Sequence, residues 1–236
     1  MRLLLPVSWL AFLIVALPVS GQGEDPAQLF RKMEQALTRA KTLRASAEVV
    51  MTTPKGDMKL VGSVHLAEGD RANLTFDSTA GEKQRRGTLV SDGKRMRWAV
   101  DQSPGQTQPA FPGLNRLLAA KFARVGVGFS FFLAVGEDTE ETLKGGIEAL
   151  YPASYFRLGA TERVGGRDAR AVEHRLTWAG KGPVFRATVW VDVKTHLPLK
   201  RVLTSSKDGL TIRITEVYPN ITLDKKLDGK LFVLPK

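Results

Sequence analysis

The chain has 236 residues, no cysteine, and 35 Lys and Arg against 24 Asp and Glu, a formal charge of +11. Without cysteine there can be no disulfide, no thiolate metal site and no lipid anchor on a cleavage-site cysteine. The basic residues are spread along the chain rather than massed in a tail. They suit a soluble charged surface, or contact with anionic lipid or an acidic partner, better than nucleic acid.

Residues 1–23 read as a secretory signal peptide. Arg2 precedes the apolar run LLLPVSWLAFLIVALPV, and the small residues of VSGQG follow it. Pro6 and Pro18 interrupt a run that is already short for a span of about 20 apolar residues. An uncleaved anchor is the alternative, and cleavage after Gly21 or Gly23 fits equally. The leader holds one arginine and no acid, which leaves +10 on the mature chain. Residues 24–236 are long enough for one sizeable core, and no internal repeat divides them. The expected product is a soluble, monomeric, periplasmic protein.

The mature chain opens on a helix, with Asp25 as cap and Pro26 in the first turn. Leu29, Phe30, Met33, Ala36, Leu37, Ala40 and Leu43 form its apolar stripe. Alternating strands follow. Ala47, Val49 and Met51 share one face, as do Met58, Leu60, Val64 and Leu66, then Leu74 and Phe76, then Met96, Trp98 and Val100. Period two with one polar face predicts antiparallel sheet solvated on one side.

From Pro112 to Leu150 the alternation stops. LNRLLAAKF, VGVGFSFFLAV and TEETLKGGIEAL predict two or three short helices, broken at Gly126, Gly128, Gly145 and Gly146. Glycine punctuation suits a movable cover better than a rigid brace. Strands resume at Phe156–Arg163, Asp168–Trp178, Phe185–Val193, Pro198–Ser206 and Leu210–Tyr218, with LFVL as a last short strand. The predicted fold is α+β. About eleven strands form one large curled antiparallel sheet, a half-open barrel, with an N-terminal helix and a helical cover over its concave face.

Catalytic motifs are missing from the sequence. His65, His174 and His196 stand far apart, and there is no H-E-x-x-H, G-x-S-x-G or G-K-[ST]. GVGFSF lacks the third glycine and preceding strand of a dinucleotide loop, and GEDTEE reads as an acidic first turn. No catalysis, cofactor or metal is expected. An enzyme would need a polar cluster assembled only by tertiary contact. His174 falls in phase with Val172, Leu176 and Trp178, either as a core histidine or as a ligand contact. In LVSDGKRMRW, Leu89 to Trp98, Asp-Gly supplies turn chemistry between two strands, with the positive φ angles a tight turn demands.

Three patches, in this order, resemble the periplasmic lipoprotein-carrier family of LolA and LolB. They are DRANLTF at Asp70–Phe76, the LVSDGK hairpin followed by Trp98, and the terminal LDGKLFVLPK. The resemblance implies a half-open barrel whose apolar concave face shields the acyl chains of a lipoprotein on its way to the outer membrane. It also implies an inner-membrane donor, an outer-membrane acceptor, and a role for Arg71 in hydrogen-bonding the cover shut. Ala72 replaces the proline common after that arginine, the strand before it lacks the family's aromatic lining, and nothing between Thr107 and Pro152 aligns.

The expected ligand-binding residues are Val49, Leu60, Val64, Arg71, Leu74, Phe76, Met96, Trp98, Leu176, Trp178, Ile212 and Ile214. From the cover come Leu117, Leu118, Phe129, Phe131 and Phe132. The alternative use of the same barrel is a lipid- or peptide-sensing interaction module. Whether the concave face is a groove or a packed core is left open by the residues.

Overall fold

The structure is a computed structural model that describes residues 24–101, 103–127, 146–178, 183–207 and 210–235. The expected leader, residues 1–23, lies outside them. No helix among the described residues is long and apolar enough to cross a membrane.

Helix α1, Pro26–Thr38, starts as the sequence predicts, with the Asp25 carboxylate accepting from the Ala27 N–H at 3.0 Å. It stops earlier than its apolar stripe. Ala40 lies beyond it, and Leu43 belongs to the first strand, because a strand's inward residue continues the apolar spacing by coincidence. Six strands follow: β1 Thr42–Thr53, β2 Gly56–Ala67, β3 Arg71–Ala80, β4 Lys83–Asp92, β5 Arg95–Val100 and β6 Gln106–Pro109. Helices α2, Leu114–Val125, and α3, Gly146–Leu150, come next. Five more strands complete the sheet: β7 Ala153–Val164, β8 Arg167–Thr177, β9 Val184–Asp192, β10 Pro198–Lys207 and β11 Leu210–Leu223.

Among the described residues these strands make one antiparallel sheet in the order β6-β5-β4-β3-β2-β1-β11-β10-β9-β8-β7. First and last strands pair at its centre, Leu43 opposite Leu223 and Met51 opposite Ile214. The edges β6 and β7 stay unpaired with each other, so the barrel is half-open. The expected eleven strands are present, but not the same eleven. LFVL falls in a 3-10 helix, Gly229–Phe232, while the short, wholly exposed β6 carries no alternating signal.

The two longer helices share the concave face. Leu29, Phe30 and Met33 of α1 pack on Val172, Val189 and Val191 of β8 and β9. Leu114, Leu118 and Phe122 of α2 pack on Val49, Leu60, Val64 and Leu74 near the sheet's centre. Gly87 permits one close approach, since a Cβ there would fall within the Phe76 ring that lies across it. On the convex face, the 3-10 helix is held by Asn73 Nδ2 donating to the Leu231 carbonyl at 2.6 Å and by the Arg71 guanidinium over the Phe232 ring.

The Leu89–Trp98 hairpin turns the chain as expected, with one refinement. Only Gly93 takes a positive φ, at 95°. Asp92 contributes through its carboxylate, which accepts from the Arg95 and Lys94 N–H groups at 2.8 Å. Those bonds, Arg95 first, hold its carboxyl below the usual range.

His174 is a core residue, in ring contact with Phe30 and Phe156. By hydrogen-bond geometry, neither ring nitrogen has a partner among the described residues. Burial, reinforced by the positive charge of Arg201, lowers its pKa to about 3. Between pH 3 and 6.5 the unfolded chain therefore binds a proton that the folded chain refuses, and stability falls as pH drops through that window. We expect a loss approaching about 1.4 kcal/mol per pH unit there in urea titrations. His174→Phe should flatten the slope. An unchanged slope in the variant would show that this histidine does not set it.

Candidate ligand site

The concave face changes character along the strands. At one end its side chains are sealed: Leu43, Ala45, Ala47 and Val49 on β1, Leu66, Val64 and Leu60 on β2, Ala72 and Leu74 on β3. At the other end the same faces carry Met51, Met58 and Phe76, all half-buried. On β11, buried Ile214 gives way to Ile212, which is 38% exposed, and then to Leu210 at 57%. Trp98 on β5 and Trp178 just after β8 are half-buried. The half-barrel thus has a closed end and an apolar mouth.

The expected binding residues divide accordingly. Val49, Leu60, Val64, Leu74, Met96, Leu118, Leu176 and Ile214 are fully buried and belong to the cluster that contains α2. Phe76, Trp98, Trp178 and Ile212 stand toward the mouth, and Leu117 is half-buried on α2. Phe129, Phe131 and Phe132 lie outside the described residues. Arg71 does not reach the concave face. It is exposed on the convex side, its Nε donating to the Glu68 carbonyl at 3.0 Å, because β3 alternation turns Ala72 and Leu74 inward instead.

Beneath α2 the described side chains form a packed core. Between Val125, Tyr151, Leu176, Trp178 and Phe185 a cavity of about 10 Å³ remains, no more than one water needs. An acyl chain that entered past this point would have to displace α2.

What holds α2 is ionic. Arg201 on β10 and Glu216 on β11 are register partners, each 0% exposed. Arg201 donates to the Phe122 and Ala123 carbonyls at 3.1 and 2.5 Å, which places a cation at the negative end of the helix dipole. Glu216 accepts from the Val127 N–H at 3.1 Å and from the Tyr218 hydroxyl. Burial, with the Glu216 charge adding, pushes the Tyr218 hydroxyl pKa well up despite nearby Arg201. Gly126, at φ 91°, is required twice over, since a Cβ there would strike the Glu216 carboxylate. A second clamp is Arg124, which grips Glu34 of α1 through Nε and Nη2 at 2.6 and 2.8 Å and donates to the Tyr151 carbonyl at 3.2 Å. At the helix start, the Gly113 N–H donates to Asp70 and Asn115 Nδ2 to the Ala67 carbonyl.

LolA superfamily proteins are among the structures this chain resembles. One, from Nitrosomonas europaea, is matched with 11% identity and a TM-score of 0.37, over 89% of this chain and 97% of that one. LprF from Mycobacterium bovis is matched with 11% identity and a TM-score of 0.47, over 85% and 96%. MucB, in its complex with periplasmic MucA, is matched with 15% identity and a TM-score of 0.42, over 89% of this chain. The chain spans 60% of the length of that MucB. No protein-family model matches the sequence, and no curated protein does.

Sequence reasoning passed over the charged clamp, although its signal was present. Arg201 is in phase with Leu199 and Leu203, and Glu216 with Ile214 and Tyr218. A charged residue inside an inward-facing apolar set marks a buried polar partner. Arg124 lies on a helix whose last turn is buried all round. Among the described residues no group of three or more His, Asp or Glu is placed to hold a metal ion.

Arg201→Met should cost about 3–5 kcal/mol in urea unfolding, because it leaves two buried helix carbonyls unpaired and removes the buried cation beside Glu216. Adding Glu216→Gln should recover part of that loss, a coupling that a double-mutant cycle reads directly. Strictly additive losses would show that the two residues do not act as one clamp.

Proposed function

We propose that this chain is a periplasmic carrier without catalytic activity, holding an acyl chain of a lipoprotein or lipid at the apolar mouth of the half-barrel. The observation that supports it is the graded concave face, whose mouth keeps Met51, Phe76, Trp98 and Ile212 incompletely buried in a chain able to seal Leu43, Ala45, Ala47 and Val49 completely. Exposed apolar surface of this kind costs free energy in water, and covering it with methylenes returns about 0.8 kcal/mol each. Such a surface needs no directional contact and suits a cargo defined by its tail. Deeper entry requires α2 to leave its seat, and the bonds it would break run from Arg201 to two backbone carbonyls. In this reading Arg201, rather than Arg71, closes the cover. Transfer then proceeds from an inner-membrane donor to an outer-membrane acceptor.

The test uses tryptophan fluorescence. Residues 24–236 contain Trp98, Trp178 and Trp190, and Trp190→Phe removes the one on the convex side. Titration with a brominated fatty acid should then quench the remaining emission saturably. Trp98→Arg should weaken binding at least tenfold while circular dichroism stays unchanged. A folded protein whose emission is not quenched would overturn the carrier reading in favour of an interaction module. Unfolding of Trp98→Arg would place Trp98 in the core instead.

A further inference from the structure

The convex face near the mouth carries a feature the carrier reading does not use. Arg175 on β8 is the register partner of Arg186 on β9, Arg186 is opposite Thr204 on β10, and Thr204 is opposite Arg213 on β11. Three exposed guanidinium groups therefore lie in one cross-strand row, with neighbouring strands about 4.8 Å apart. Like charges directly opposite each other destabilise a sheet. Arg175 rests over the Tyr155 ring, at 4.7 Å, whereas among the described residues Arg186 and Arg213 have no ion-pair or hydrogen-bond partner. Elsewhere on the same sheet, exposed arginines do find acids: Arg157 pairs with Glu173 at 2.7 Å and Arg86 with Asp77 at 3.6 Å.

One step closer to the strand ends the surface turns apolar. Val184 is 47% exposed on this face, and Leu210, at the start of β11 on the concave side of the same rim, is 57% exposed. Apolar tips ahead of a band of arginines that meet no acid among the described residues match the layering of a bilayer surface, where acyl chains lie beneath anionic headgroups. An acidic protein surface would satisfy the arginines but would leave the apolar tips without a counterpart.

We propose that the Arg175–Arg186–Arg213 row and the Val184 and Leu210 tips form a docking surface for an anionic lipid bilayer. The surface lies at the open end of the half-barrel, so docking presents the mouth to the membrane from which a lipid tail would enter or to which it would return. This inference rests on the surface alone and stands whether or not the mouth holds a ligand.

Flotation of residues 24–236 with vesicles of phosphatidylglycerol and phosphatidylcholine, against vesicles of phosphatidylcholine alone, tests it. Binding should require the anionic lipid and weaken as salt rises from low to physiological strength. The double variant R186E/R213E should bind about tenfold more weakly or worse. Val184→Ser with Leu210→Ser should also weaken binding, and R95E, at the closed end, should not. The proposal is overturned by equal binding to both vesicle types, by undiminished binding of folded R186E/R213E, or by failure of the folded wild-type chain to float. Capture by soluble polyglutamate with no flotation would overturn it too, and would assign the row to an acidic protein. Brominated fatty acid binding in the same samples separates failure of docking from failure of the carrier reading.

Discussion

An open antiparallel sheet of this width curls, and the concave face it creates must be shielded from water. Helices α1 and α2 shield it among the described residues, and the cation that seats α2 lies in the interior. Arg201 is wholly buried, which is tolerable only because two helix carbonyls and the neighbouring Glu216 surround its charge. The Gly126 backbone, the Tyr218 hydroxyl and the Arg124 grip on α1 all follow from seating that helix end. A helix held by hydrogen bonds to charged groups has a discrete seated state, unlike one held by apolar contact alone.

Much of the architecture was legible because period two is hard to mistake. Ala47–Met51, Met58–Leu66 and the C-terminal strands each show an inward apolar set, and all are strands. Errors fell where the pattern has another cause. LFVL is apolar because Phe232 plugs the convex side beneath Arg71, and β6 is polar because it is an edge with both faces wet. Leu43 extended the helical stripe only because inward strand residues also repeat at even spacing.

The site was less legible than the fold. A list of inward apolar residues does not tell a sealed core from a mouth, and that difference depends on where α2 ends. Val49 and Met51 look alike in sequence, yet one is buried beneath the cover cluster and the other only half so. Arg71 drew attention through its local segment, whereas Arg201 sits in an unremarkable strand. Its role depends on two carbonyls nearly eighty positions away in the chain.

In the proposed function the mouth holds an acyl chain. Mass spectrometry of an organic extract from the protein purified out of its native compartment tests this most directly. Stoichiometric acyl lipid or lipopeptide is expected, and its mass would name the cargo class. A clean extract from folded, monomeric protein would contradict it and leave the concave face as core.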